Sequence, residues 1–99
     1  MTQKEMRLKR REVLSEKLSQ IYESVEIDGR QCFVSSRGVI FRLDSLGGEC
    51  NALVIEYADT LDLAKKGIFG EDGDLFYMDE FNEDEMLNAM IQEIEDAAI

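Results

Sequence analysis

Asp72-Gly73-Asp74, followed by Asp79, Glu80 and Glu83, is the cluster in this 99-residue sequence richest in groups that could do chemistry. Oxygen ligands of this kind suit Ca²⁺ or Mg²⁺. The spacing argues against a dedicated site. A calcium loop alternates its ligands as D-x-[DN]-x-[DN]-G-x₅-E, whereas here Gly73 follows Glu71 and Asp72 directly, and apolar Leu75 and Phe76 come next. The expectation is no metal and no other cofactor, with loose divalent-cation binding along 71–85 as an alternative.

Catalytic constellations are as sparse. The chain has no histidine, so it lacks the commonest general base near neutral pH, and neither Cys32 nor Cys50 has a His partner to activate it. Ser35-Ser36 has no nucleophile-elbow surround, and Gly47-Gly48 lacks the spacing and the Lys of a phosphate-binding loop. Glu56 with Asp74 is a carboxylate pair that only the fold could bring together for acid-base work. The sequence reads as that of a non-enzyme.

Charge is more informative. Residues 1 to 50 hold 9 basic and 8 acidic side chains and residues 51 to 99 hold 2 and 14, so the halves carry +1 and −12. From Gly67 to Ile99 there is no Lys, Arg or His. A one-signed field of this kind changes which molecules approach quickly, so it points to a basic protein partner. It disfavours nucleic acid and anionic lipid, whose phosphates call for Lys and Arg. The basic start, Met1 to Arg11, is followed by no apolar run, and no stretch approaches the ~20 apolar residues of a membrane span. A cytoplasmic protein without a membrane segment is therefore expected, with both cysteines reduced and in or near the core.

Size allows one domain, residues 1–99, and its apolar content of 44% is too high for a disordered chain. Leu14, Leu18, Ile21, Tyr22 and Val25 recur at helical spacing, predicting a helix over Thr2 to Ser24. Arg7 and Arg11 stand where that stripe would want Leu, so the first turns are expected to project from the core or fray. Val25 to Asp28, Gln31 to Ser35, Val39 to Leu43 and Ala52 to Tyr57 read as strands of an antiparallel meander, with Asp28-Gly29 a type I′ hairpin turn. Asp59 is expected to cap a short helix that runs to Lys66 and stops at Gly67. Gly70 to Asp74 reads as a loop and Leu75 to Met78 as a fifth, short strand. Asn82 with Glu85 forms a capping box opening a last helix, on which Met86, Leu87, Met90, Ile91 and Ile94 make an apolar arc of about 140°. The fold class is α+β: an N-terminal helix, an antiparallel sheet of four to five short strands, a short middle helix and a C-terminal amphipathic helix, packed on one face.

Two local rules are broken in the last third. The helix macrodipole favours bases in a final turn, yet Glu93, Glu95 and Asp96 stand there with no Lys or Arg in the segment to offset them. Glu71, Asp72, Asp74, Asp79, Glu80, Glu83, Asp84 and Glu85 crowd into fifteen positions and repel one another. A basic surface would relieve both, whether that of a partner, of a second copy or of the chain's own helix at Lys4 to Arg11. Aromatic residues interleave with these acids, and Tyr77 is placed by alternation opposite Phe76 and Met78. Aromatic anchors inside an acidic rim are how an interface for a basic partner is built.

Leu53-Val54-Ile55-Glu56-Tyr57-Ala58, the short helix after it, Phe69-Gly70-Glu71-Asp72-Gly73-Asp74-Leu75-Phe76 and the acidic closing helix resemble small bacterial immunity proteins of polymorphic toxin systems. The resemblance covers about half the chain, Ala52 to Glu95. It implies an α+β cytoplasmic protein, monomer or dimer, that neutralises one toxin by covering its basic active surface, with Asp72, Asp74, Tyr77, Asp79, Glu80 and Asp84 as the partner-binding residues. The order of elements is also similar to that of small acidic secretion chaperones, which hold an unfolded export substrate in an apolar groove.

Overall fold

The structure, a computed structural model, describes residues 1–97, apart from the side chains of Glu71 and Asp72. Along the chain lie helix α1 (Gln3–Ser19), strands β1 (Glu23–Ile27), β2 (Arg30–Val34), β3 (Ile40–Leu46) and β4 (Ala52–Ala58), helix α2 (Leu61–Lys65), strand β5 (Glu71–Tyr77) and helix α3 (Glu83–Asp96). The five strands form one antiparallel sheet in the order β1-β2-β3-β4-β5. The fold is α+β.

Alternation along the strands divides the sheet into two faces. Phe33, Phe41, Leu43, Leu53, Ile55, Tyr57 and Phe76 turn to one face, where they meet Leu14 and Leu18 of α1 and Met86, Met90 and Ile94 of α3. Each of those helix side chains is at most 2% exposed, and burying one stabilises by about 1.5–3 kcal/mol. Tyr22 packs edge-on against Phe41, with ring centroids 5.3 Å apart, and Phe33 stacks on Phe41 at 5.2 Å. The opposite face carries a smaller cluster of Ile27, Cys32, Ile40 and Ala58, covered by Ala64 of α2 and flanked by Leu63 and Phe69. The expectation that the helices share one face thus holds for α1 and α3; the five residues of α2 serve the other.

Several boundaries depart from the sequence reading. α1 ends at Ser19 rather than Ser24, because the chain must turn there to bring Val25 and Ile27 into the sheet, and Ile21 is left 53% exposed. The cap of α2 is Thr60 rather than Asp59: its Oγ1 accepts from the Leu63 N–H at 3.2 Å. Asp28 and Gly29 both have positive φ, at 52° and 77°, as the type I′ turn requires. Cys50 is exposed in the loop between β3 and β4, and only Cys32 is a core thiol.

The first turns of α1 do not project. Long arginine stems reach from the apolar stripe to polar atoms at its rim. Arg7 is 7% exposed, lies against Gly47 and donates from Nη1 to Asn51 Oδ1 at 2.8 Å. Arg10 donates to the Phe81 carbonyl at 2.8 Å, and Arg11 pairs with Asp44 at 3.6 Å. The basic helix therefore clamps the β3–β4 loop and the start of α3.

Candidate functional edge of β5 and α3

Residues 71–74, expected as a loop, are strand. β5 pairs with β4 along its whole length, but its register shifts: Val54 faces Leu75, whereas Glu56 faces Asp72, so Gly73 and Asp74 together stand against Ile55. This is a β-bulge. It lets the acidic stretch stay paired with β4.

Glu93 of α3 fits the bulge. Its carboxylate accepts from the Asp74 N–H and from the Tyr57 hydroxyl, each at 2.6 Å. Only glycine leaves room for it, because a Cβ on Gly73 would fall inside that carboxylate. Two residues on, on the other side of the buried Ile94, Glu95 accepts from the Tyr22 hydroxyl at 3.1 Å and from Ser36 Oγ at 3.0 Å. Arg37 donates to the Ala97 carbonyl at 3.4 Å, and the Gln92 amide donates to Asp96 at 2.9 Å. The acids that oppose the α3 dipole are thus offset, mostly by neutral donors from the sheet and the β2–β3 turn. Burial and then the Glu95 carboxylate push Tyr22 up to about 12; burial and then the Glu93 carboxylate raise Tyr57 further.

Outward of this inner layer lies a shallow groove of about 720 Å³ between β5 and α3. Phe76, Phe81 and Ala89 are among its apolar residues, and Asp74, Glu80, Glu93 and Asp96 are its charged ones, with no Lys or Arg among the lining residues. Tyr77 also lines it, 36% exposed, while Phe76 beside it is 4% exposed. The alternation of Tyr77 against Phe76 is as expected from sequence.

Of the six proposed partner-binding residues, the groove brings together Asp74, Tyr77 and Glu80. Asp79 is exposed in the turn that follows β5 and does not line it. Asp84 stands on the first turn of α3, its side chain 86% exposed and 3.6 Å from Lys17 Nζ. The side chain of Asp72 lies outside the described residues. Lys17 also pairs with Glu83 at 2.9 Å, and that hydrogen bond raises the lysine's pKa. Among the described ion pairs none involves Asp74, Asp79 or Glu80, so within the acidic last third neutralisation by α1 reaches only the start of α3.

Sequence reasoning missed Glu93, Asp96 and Phe81 as groove residues. Glu93 and Asp96 are three apart on one helical face, a spacing that was legible, but the strand they border was not. Glu56 and Asp74 do not form the carboxylate pair considered above: Glu56 accepts from Arg42 Nε at 3.0 Å, and Arg42 lies 3.8 Å from the Phe69 ring centroid. Among the described residues no group of three or more His, Cys, Asp or Glu converges to hold a metal ion, and no helix is long and apolar enough to cross a membrane. Comparison with protein-family models, with curated proteins and with solved structures finds no match for this chain.

Proposed function

We propose that this chain is a protein-binding module whose cationic partner seats on the β5–α3 edge, and that it acts as an immunity protein, inhibiting a toxin by covering its basic surface. One observation carries the reading: a groove with an apolar floor whose charged lining residues are all carboxylates. Apolar contact within a one-signed polar rim supplies both halves of a recognition surface, the acids raising the encounter rate and the aromatic residues the buried contact. The ion pairs of α1 leave Asp74 and Glu80 unneutralised, which keeps the field at this edge directed outward. Free thiols at both cysteines suit a reducing compartment such as the cytoplasm.

The test compares two baits. The chain and its Asp74→Lys/Glu80→Lys variant are immobilised and offered extract of the native organism at low and at physiological salt. The expected result is a basic protein captured by the chain, lost by the variant, and bound more slowly as screening shortens to ~8 Å at physiological strength. Co-expression of the chain should then relieve any growth defect that the captured protein causes. An identical captured set for both baits would overturn the reading.

A further inference from the structure

The groove has a wall that charge alone does not describe: the open backbone of an edge strand. The sheet order leaves β1 and β5 as edges, and of the two β5 is the one that runs beside the acidic groove. Its hydrogen-bonding direction follows from the register. The Met78 N–H donates to the Asn51 carbonyl at 3.0 Å, and the pairs then run Tyr77 with Ala52, Phe76 with Leu53 and Leu75 with Val54. Hydrogen-bonded and non-hydrogen-bonded pairs alternate in an antiparallel ladder, so Phe76, like Met78, turns its backbone to β4 while Leu75 and Tyr77 turn theirs outward.

One of the groups along that outward row is already taken: the Tyr77 carbonyl accepts from the Glu80 N–H at 3.1 Å, and beyond Leu75 the row ends at the bulge, where the Asp74 N–H is held by Glu93. What the described residues leave unengaged is a short, defined template: the N–H and C=O of Leu75 and the N–H of Tyr77. The other place where strand backbones part differs. There β2 and β3 share two residue pairs, and the Arg30 side chain fills the gap by donating to the Leu43 carbonyl at 3.1 Å.

We infer that the partner enters this groove as an extended cationic segment that adds to the sheet as a sixth strand along Leu75 to Tyr77, an inference that rests on the functional reading above. Strand addition derives affinity from main-chain hydrogen bonds and specificity from alternate side chains. Alternate side chains of the incoming strand fall toward α3, where Glu93 and Asp96 flank the groove, and toward the opposite face, where Leu75 and Tyr77 stand. The segment is therefore one in which Lys or Arg alternates with apolar residues. A second copy of this chain is a poor occupant, because pairing β5 with itself sets Asp74 and Glu80 against their own kind.

The probe is a short synthetic peptide alternating lysine and valine, titrated into isotope-labelled protein and followed by amide NMR shifts. Two further versions are N-methylated on every valine or on every lysine, since each removes the N–H groups from one edge of an extended strand and keeps the charge. The expected result is that the unmethylated peptide moves the Leu75 and Tyr77 amides, that one methylated version binds about tenfold more weakly, and that the other retains its affinity. Equal affinity for all three peptides overturns strand addition and leaves an acidic groove that binds by charge. No shift at Leu75 and Tyr77 at millimolar unmethylated peptide overturns it too, and the comparison of baits above then reads the functional proposal separately. A concentration-dependent dimer moving the same amides without peptide assigns the edge to a second copy and overturns it as well.

Discussion

Glu93 and Glu95, the inner carboxylates on either side of the buried Ile94 of α3, and Asp74 and Glu80, on the outer side of β5, are the same chemistry put to opposite uses. The inner pair accepts four hydrogen bonds from Tyr57, Asp74, Tyr22 and Ser36, which fix the helix against the sheet. The side chains of the outer pair enter no ion pair or hydrogen bond among the described residues. A count of charges treats all four alike. What separates them is whether a donor stands within reach, because a half-buried carboxylate is tolerated where hydrogen bonds replace its water. The inner flank should therefore respond to mutation through stability and the outer flank through binding.

The sharpest break of the inner flank is Gly73→Ala. Its methyl group must displace the Glu93 carboxylate, and both hydrogen bonds made by that carboxylate go with it. Hydrogen bonds to charged groups contribute about 1.5–3 kcal/mol each, and some is regained as Glu93 swings to water, so the expected loss is about 3 kcal/mol. Denaturant unfolding measures it. Adding Glu93→Gln to the alanine variant should cost little more, since the contact is already gone. A neutral Gly73→Ala would mean that Glu93 does not occupy the bulge.

Tyr57→Phe removes one of the two bonds and keeps the ring in the core, for an expected loss of about 2 kcal/mol, or roughly 10 °C in melting temperature for a domain of this size. Ring packing against Phe41, with centroids 6.4 Å apart, should survive the change. A near-zero effect would detach Glu93 from the stability of the fold and blur the contrast with Asp74.

The elements were far more legible than the site. The capping box of Asn82 with Glu85, the hairpin at Asp28-Gly29 and the left-handed stop at Gly67 are local signals, each confined to a few residues, and each is present. The bulge at Gly73-Asp74 is not local. Its glycine answers to a carboxylate twenty positions on, so the sequence around it reads as a loop. Arg7 and Arg11 were misread for a related reason: helical periodicity shows which face a side chain is on, but not that Asn51 and Asp44 wait there to receive a guanidinium. The acidic bias of the last third was plain in composition; that Glu93 and Glu95 are spent internally depended on Tyr57, Tyr22 and Ser36, residues far away in the chain.

A smaller effect appears in alkali. Burial and the Glu95 carboxylate raise the Tyr22 hydroxyl to about 12, and Tyr57 is raised in the same direction. An unfolded tyrosine titrates near ~10, so above that pH the unfolded chain releases protons that the folded chain still holds. The stability linked to the Tyr22 hydroxyl is fully present below pH ~10 and is lost as pH climbs toward 12. Lys17, also raised, has the same sign, so the measurement is the difference between the chain and its Tyr22→Phe variant. The variant should lose less stability between neutral and high pH. Parallel curves would show that the Tyr22 hydroxyl is not held against Glu95.

The smallest expected change in stability belongs to the outer flank, and it is the other half of the comparison. Asp74→Lys with Glu80→Lys replaces two exposed carboxylates whose side chains no described residue engages, so unfolding free energy should shift by no more than ~0.5 kcal/mol. The direction should be toward greater stability at low salt, because the new lysines stand among Asp79, Glu93 and Asp96 and relieve their repulsion, and the gain should fade as salt is added. A loss resembling that of Gly73→Ala would mean that these carboxylates also have internal work, and inner and outer flanks would then no longer differ in kind. Small stabilisation together with lost partner binding is the combination that a recognition edge predicts, since residues kept for an outside molecule are ones the fold itself does not need.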